Sequence, residues 1–541
     1  MLFTSYFFIA FVAILLVAYY LFPRKCQWPL LLVASYFFYA FSGIENFAFI
    51  IATTLSCFFV AIIMEKKRIR EDEYVALHKD DMDKESRKAY RAKEKKKRRA
   101  ILTVGLVFNF GILAVLKYTA FAIKNVNSVI SLFNPDATLG IPSLLLPLGL
   151  SFYVFQSTAY LIDVYRGKTY AEKNVAKLAL FVSFFPQLAQ GPISRHSDLA
   201  KELYTPHRFS GKNLKFGLQR MLWGYFKKLV IADRLLTPIK VLVSDTQSFS
   251  GAYVFLLIIL YSIQIYADFT GGIDITIGLA EAMGIKVKEN FNRPFSSVST
   301  KEYWNRWHIT MGSWFTDYIF NPLSVSKPML KLSKVTRAKL GNGFGKRISV
   351  YFATIVTWFL TGLWHGAAWN FIVWGLLNCA VILISREFEP LYKKFRSKCP
   401  KLVQSYPYHC FGVTRTFMLM GLIRSLDCYR NVSQTFSQWF SMFTTFNWGE
   451  LFSGGIFIKT YSETLEEWVP TIGIADYLIV LAGVCIVAIV SKLSEKIDLR
   501  EWLCGKAVLS WTLSGALLVI ILLFGAYGIG YDASQFIYTQ F

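Results

Sequence analysis

Two of the six histidines in this chain stand where a histidine is expensive to keep. His308 closes the run Trp304-Asn-Arg-Trp-His308, and His365 lies in Trp364-His365-Gly366, both among tryptophans and apolar residues. A neutral imidazole, desolvated and aimed at a cavity, can take a proton from a hydroxyl near neutral pH. The same placement suits an imidazole that donates to a backbone carbonyl and packs a helix bundle, and spacing alone does not separate the two readings. Two histidines on separate segments are too few ligands for a metal, and none is expected. The eight cysteines add no C-x-x-C and no zinc-like spacing. His78, in a charged loop, and His196, His207 and His409, in polar connectors, are expected at the surface.

The acids in apolar surroundings are Asp163, Asp268 and Asp274. The last two are six residues apart, off a common helix face, and Gly271-Gly272 between them reads as a break. A glycosidase-like carboxylate pair is therefore poorly supported. Orienting a histidine or holding an arginine fits better, with Arg293 and Arg306 as partners. No phosphate-cradling or nucleophile-elbow motif occurs where a strand-to-helix turn could carry it, so an activated donor must arrive ready made.

These residues need elements to carry them, and the composition says which. Of 541 residues, 54% are hydrophobic, 17% aromatic and 17% charged, against about 25% charged in soluble proteins. A soluble enzyme and a disordered chain are both excluded. Met1–Phe22, Phe47–Met64, Ala252–Ala267, Ile472–Val490 and Val508–Tyr527 are long, nearly uncharged runs, close to the roughly 17–25 residues a spanning helix needs. The first is no cleavable signal: nothing basic precedes it, it exceeds an h-region, and no small-residue cleavage site follows. The net charge of +24 lies between the apolar runs, notably at Lys66–Arg70 and Lys93–Arg99. That pattern indicates cytoplasmic retention beside anionic lipid rather than nucleic-acid binding. It places the N-terminus outside, and it makes 65–99 a solvated helix along the membrane surface.

The middle of the chain is less regular. Leu178–Leu188 is too short to span and contains Pro186, which fits a re-entrant or protein-buried helix. Between Arg347 and Arg386 lie two short apolar helices interrupted at Thr361–Gly366, the break that holds His365. Basic ends put both ends of this hairpin on the cytoplasmic side. No fixed-period repeat occurs, which weakens a repeat-built transporter or a non-enzymatic glycan exporter or scaffold. The expected fold is an all-α polytopic membrane protein with about eleven crossings. Its parts are N-terminal helices (1–64), a basic loop (65–100), a core (101–390), a connector (391–470) and C-terminal helices with a tail (471–541).

Leu146–Gln156, Tyr160–Gly167, Pro186–Ile193, Tyr266–Gly278, Asn290–Phe295 with Tyr303–Pro322, and Thr361–Trp374 together resemble the membrane-bound O-acyltransferase (MBOAT) family. The likeness is to the bacterial branch of alginate O-acetylation, related to teichoic-acid D-alanylation. It runs through most of the chain in order and is weak at 65–99 and 387–470. It implies helices around a central funnel, with His365 as the catalytic histidine and His308 as the second one. Trp364, Trp307, Asn305, Arg306, Asp268, Gln156, Gln190 and Arg293 become candidate substrate-binding residues; Asn305 stands where many relatives carry an arginine. The tail Gln535–Phe541 resembles a family ending, so Tyr538 is a candidate acyl relay, although an aromatic interfacial anchor has the same composition. The resemblance further implies a thioester donor, acetyl-CoA or an acyl-carrier protein, and no resident cofactor. It implies a polysaccharide acceptor, an SGNH-hydrolase-like partner outside, and a bacterial cell membrane.

Overall fold

A computed structural model describes residues 1–188, 190–462, 467–470 and 472–527, and the chain divides into two units. The first comprises 1–217 with 279–288; the second comprises 218–278 with 289–541. Helices make up nearly all of both. Among the described residues the one paired sheet is a short antiparallel hairpin, Lys459–Ser462 against Glu467–Pro470.

In the first unit the chain forms α1 (Tyr6–Leu21), α2 (Gln27–Ala40), α3 (Phe47–Leu77), α4 (Lys84–Ile130), α5 (Leu150–Arg166) and α6 (Val175–Ser183). Ser5 caps α1 by accepting from the Phe8 amide, and Asp83 caps α4 through Glu85 and Ser86, each satisfying orphan donors of a first turn. The basic stretch 65–99 is not a separate surface helix. It continues α3 to Leu77 and opens α4 at Lys84, so the two run antiparallel as one long hairpin. Ser56 meets Asn109 in the apolar half, and Glu71 meets Arg98 at 2.8 Å in the charged half. At 1.5 Å per residue the 47-residue α4 reaches roughly 70 Å, about twice a bilayer core. Helical propensity of the Lys/Glu/Arg-rich sequence and the internal Glu71–Arg98 pair keep the helices going past the apolar run.

α5 is buried along almost its whole length, and α6 has nine residues, five of them buried. The short 178–188 stretch is thus a protein-buried helix, as its length requires. Gly149, at φ 71°, opens α5 where a Cβ would stand 2.3 Å from the Leu188 carbonyl oxygen, so only glycine fits.

The second unit takes in α7 (Gly211–Tyr225) from Leu218 onward, a π turn over Phe226–Ala232, α8 (Asp233–Ser244) and α9 (Ala252–Ala282) as far as Gly278. Short α10 (Thr300–Arg306) and α11 (Ile309–Phe315) follow, then α12 (Lys327–His365), α13 (Trp369–Glu387) and α14 (Tyr406–Tyr429). α15 (Ile474–Leu493) and α16 (Ala507–Phe524) complete it. The break expected at Gly271-Gly272 is absent: α9 runs through it unbroken. The glycine serves packing instead, since a Cβ on Gly271 would lie 2.9 Å from the Gly224 carbonyl oxygen of α7. Among the described residues seven helices are long and apolar enough to span a membrane, namely Ile44–Leu77 (which contains α3), α4, α9, α12, α13, α15 and α16. The sequence count of about eleven is not reached; α1 and α2, with 16 and 14 residues, fall short of 18 and account for two of the difference.

Candidate active site

The hairpin that carries His365 forms because two glycines let its helices touch. A Cβ on Gly362 would stand 2.4 Å from the Phe371 carbonyl oxygen, and one on Gly375 would stand 2.5 Å from that of Trp358. α12 and α13 therefore cross backbone to backbone just below the break. Arg347 closes the far end on Glu387 at 2.6 Å. The interruption expected over Thr361–Gly366 falls at its C-terminal edge, Gly366–Ala368: His365 is the last residue of α12, and Gly366 is extended. The His365 ring packs edge-on to Trp374 at 4.7 Å and to Trp364 at 5.1 Å, and remains partly open to its surroundings.

His308 is held differently. It lies between α10 and α11 at φ 50°, the left-handed region that a side-chain-bearing residue rarely adopts. Residues 290–292 run antiparallel beside it. The Ile309 amide donates to the Asn290 carbonyl, the Asn292 amide donates to that of Arg306, and Phe291 bridges Trp307. Asn290 Oδ1 accepts from the Thr310 amide at 3.0 Å and from the Thr310 hydroxyl at 2.9 Å. An amide N–H can only donate, so the atom facing it is the oxygen. That oxygen also lies 3.2 Å from His308 Nδ1, which therefore carries the proton and leaves the lone pair on Nε2. The side chain is wholly buried, and burial pushes the imidazole down to about 3, with a backbone hydrogen bond opposing. His308 is thus a neutral imidazole of one tautomer.

The two histidines meet across one indole. The Trp364 ring lies 6.0 Å from that of His308 and 5.1 Å from that of His365. Behind it Trp304, Trp358 and Trp374 pack edge to face at 4.9 to 6.3 Å. Among the described residues no three His, Cys, Asp or Glu gather as a metal would require.

Other candidate residues divide clearly. Trp364 and Trp307 are buried at the histidines. Asn305 faces outward from the last turn of α10. Arg306 is tied to Glu302 at 2.7 Å and to the Ser296 hydroxyl at 3.0 Å, and Arg293 faces Glu495 at 3.5 Å. Neither arginine serves as the ion-pair partner expected for the acids. Asp268 pairs instead with fully buried Lys228 at 2.6 Å, and Asp274 with Lys227 at 2.6 Å and Arg220 at 3.0 Å. The lysines come from the π turn, which rotates two successive basic side chains toward α9. Asp268 still touches the site indirectly, because its neighbour Phe269 packs edge-on to His308 at 4.9 Å. Gln156 and Gln190 belong to the first unit. Gln156 donates to Gln187, which donates to Ser194, both at 2.8 Å. Gln190 is completely buried, with no partner for its amide among the described residues. Tyr538 lies outside the described residues.

One histidine departs from expectation. His196 is buried, packed against Tyr160 at 4.7 Å and Phe181 at 4.9 Å. Its polar connector folds into a nine-residue helix, 196–204, whose apolar face turns inward. Two residues of the site were missed by sequence reasoning as functional. Asn290 lay within a quoted motif but was given no role. Arg424, inside α14, was signalled by a charge among largely apolar residues.

The two histidines meet across Trp364 in a chain whose helices are long and apolar enough to span a membrane, and comparison with known proteins identifies its family. The profile of MBOAT, membrane-bound O-acyltransferase family, matches residues 173–338, which include His308 and stop short of His365. The chain is 33% identical over 390 residues to "Probable alginate O-acetylase AlgI" of Azotobacter vinelandii, covering 71% of this chain and 68% of that one. It is 28% identical over 431 residues to a peptidoglycan O-acetyltransferase of Helicobacter pylori, covering 74% and 73%. It is 26% identical over 275 residues to a teichoic acid D-alanyltransferase of Bacillus subtilis, covering 49% and 67%. The chain belongs to the membrane-bound O-acyltransferase family and is an acyltransferase.

Proposed function

We propose that this protein moves an acetyl group from a cytoplasmic thioester, acetyl-CoA, across the membrane for O-acetylation of an extracytoplasmic polysaccharide. His365 is the general base. Its imidazole removes the proton of the acceptor hydroxyl as that oxygen attacks the thioester carbonyl. The C–S bond breaks, the thiolate takes the proton back from the imidazolium, and free thiol leaves. His308, neutral and fixed, orients the acceptor or stabilises the carbonyl oxygen; burial away from water limits hydrolysis of the thioester. An SGNH-hydrolase-like partner outside carries the group on to the polysaccharide. The protein sits in a bacterial cell membrane with its N-terminus outside, and Tyr538 is the candidate acyl relay. Trp364 and Trp307, buried beside the histidines, line the acyl path.

The observation that carries this reading is the pairing of a buried, single-tautomer His308 with a partly open His365 across Trp364. The relatives whose names specify O-acetylation support the acetyl group over D-alanine, since they match over more of the chain. The test supplies acetyl-labelled CoA to membranes containing wild type or His365→Ala at equal expression. Label should reach protein, partner or polysaccharide with wild type and fall about 10²–10⁴-fold in the variant. Label unaffected by the variant would remove His365 as the base. Label only with a loaded carrier protein would convert the reading to D-alanyl transfer.

A further inference from the structure

Among the buried charges of the second unit that the proposed chemistry does not use, Lys227 and Lys228 are paired with carboxylates, whereas Arg424 touches none among the described residues. Arg424, on α14, is 6% exposed. Its Nη2 donates to the Tyr303 hydroxyl at 2.6 Å, and its guanidinium sits 3.9 Å from the centre of the Trp307 indole. No carboxylate lies within ion-pair distance of it among the described residues. The acid one turn further on, Asp427, instead accepts from the Tyr261 hydroxyl at 3.0 Å. An arginine buried with no carboxylate in ion-pair contact, and only the longer-range charge of Asp427 to offset it, is costly, and a well-packed apolar side chain would fill the space at lower cost. What Arg424 gains is planarity: a guanidinium stacks on an indole and donates sideways at once, which an ammonium or an aliphatic chain cannot do.

The contact falls on the residue that most needs holding. Trp307 immediately precedes His308, whose left-handed backbone persists only if its surroundings over-determine it. Tyr303 stacks nearly parallel on Trp307, 5.7 Å between ring centres and 12° between planes, while Phe291 closes the edge at 4.9 Å. Arg424 therefore grips both members of the Tyr303–Trp307 stack.

We propose that Arg424 is a positioning residue for His308: by clamping Trp307 and Tyr303 it holds the strained turn that keeps the imidazole buried and in one tautomer. The role in catalysis rests on the acyl-transfer reading; the clamp itself does not. The test therefore has two arms on the full-length protein in membranes. The first treats wild type, Arg424→Gln and Arg424→Lys with diethyl pyrocarbonate and follows each histidine-bearing peptide by mass spectrometry. Wild-type His308 should resist modification, and both variants should admit it at least tenfold faster, Lys included because it lacks the planar fork. His196, buried elsewhere, should stay protected in all three. Unchanged His308 labelling overturns the clamp, and so does equal deprotection of His196, which would mean general loosening.

The second arm measures transfer. Arg424→Gln should lower kcat about tenfold with donor KM unchanged, and should cost less than twofold more in a His308→Gln background. Additive losses overturn action through His308. Absence of transfer by wild type would sink the acyl-transfer reading, while the labelling arm would still decide the clamp.

Discussion

The two histidines present the same imidazole in opposite settings. His365 ends α12, which kinks at Gly341, at the tip of a hairpin, partly open, its ring touched by two indoles. His308 is sealed between two seven-residue helices, in left-handed backbone, with one nitrogen committed to Asn290. A group that must gain and lose a proton needs access, and a group that must hold a geometry needs constraint. On the proposed acyl-transfer reading, that difference fits proton transfer at His365 and orientation at His308.

The sharpest way to break that assignment is to remove each ring in turn. His365→Ala should cut acyl transfer by about 10²–10⁴, and His308→Gln by roughly tenfold less, in initial-rate assays at matched expression. Equal losses from two folded variants would abolish the division of labour. Backbone contacts come next. Gly362→Ala drives a Cβ toward the Phe371 carbonyl, an atom with little freedom to yield, and should cost about 1–3 kcal/mol in thermal unfolding as the hairpin opens. Gly312→Ala, on α11 beside His308, meets open space and should be neutral or slightly stabilising. If both glycines tolerate alanine, close approach is not what sets His365.

Protonation offers a smaller but directional effect. Folded His308 stays neutral down to about pH 3, whereas the unfolded imidazole binds a proton below about 6.5. The unfolded state therefore holds more protons between those values, and stability should fall as pH drops through that window. The slope approaches about 1.4 kcal/mol per pH unit within the window. His308→Gln should flatten that part of the melting-temperature profile; an unchanged slope would mean His308 is not held neutral. The smallest effect belongs to the far end of the hairpin. Arg347 and Glu387 are each about one-third exposed, so Arg347→Gln should cost under about 1 kcal/mol in the same melts.

Much of this arrangement was legible in the residues. Hydropathy runs announce the spans, and the Arg347–Arg386 hairpin appears in the structure as read, its break falling just after His365. The proline-bearing 178–188 stretch is likewise too short for anything but burial in protein. Reading failed where one local signal serves two ends. Gly271-Gly272 could equally break a helix or let another approach, and only the presence of Gly224 opposite decides for approach. His196 sat among polar neighbours, yet its short helix turns it inward. The basic 65–99 stretch carried the composition of a solvated helix but not its direction, which Glu71 and Arg98 set across the hairpin.

By itself the sequence determined that this chain is a helical membrane protein, that two histidines stand in apolar surroundings as candidates for its chemistry, and that no nucleotide-hydrolysing motif accompanies it. Those conclusions need only transfer free energies, periodicity and residue type, all local along the chain. The tertiary structure alone decided which nitrogen of His308 bears the proton, which lysine faces Asp268, and that Arg424 meets Tyr303 across 121 residues of sequence. Each of those depends on a partner brought within about 3 Å by packing, and the choice among many possible partners is made by steric fit and desolvation rather than by proximity in the chain.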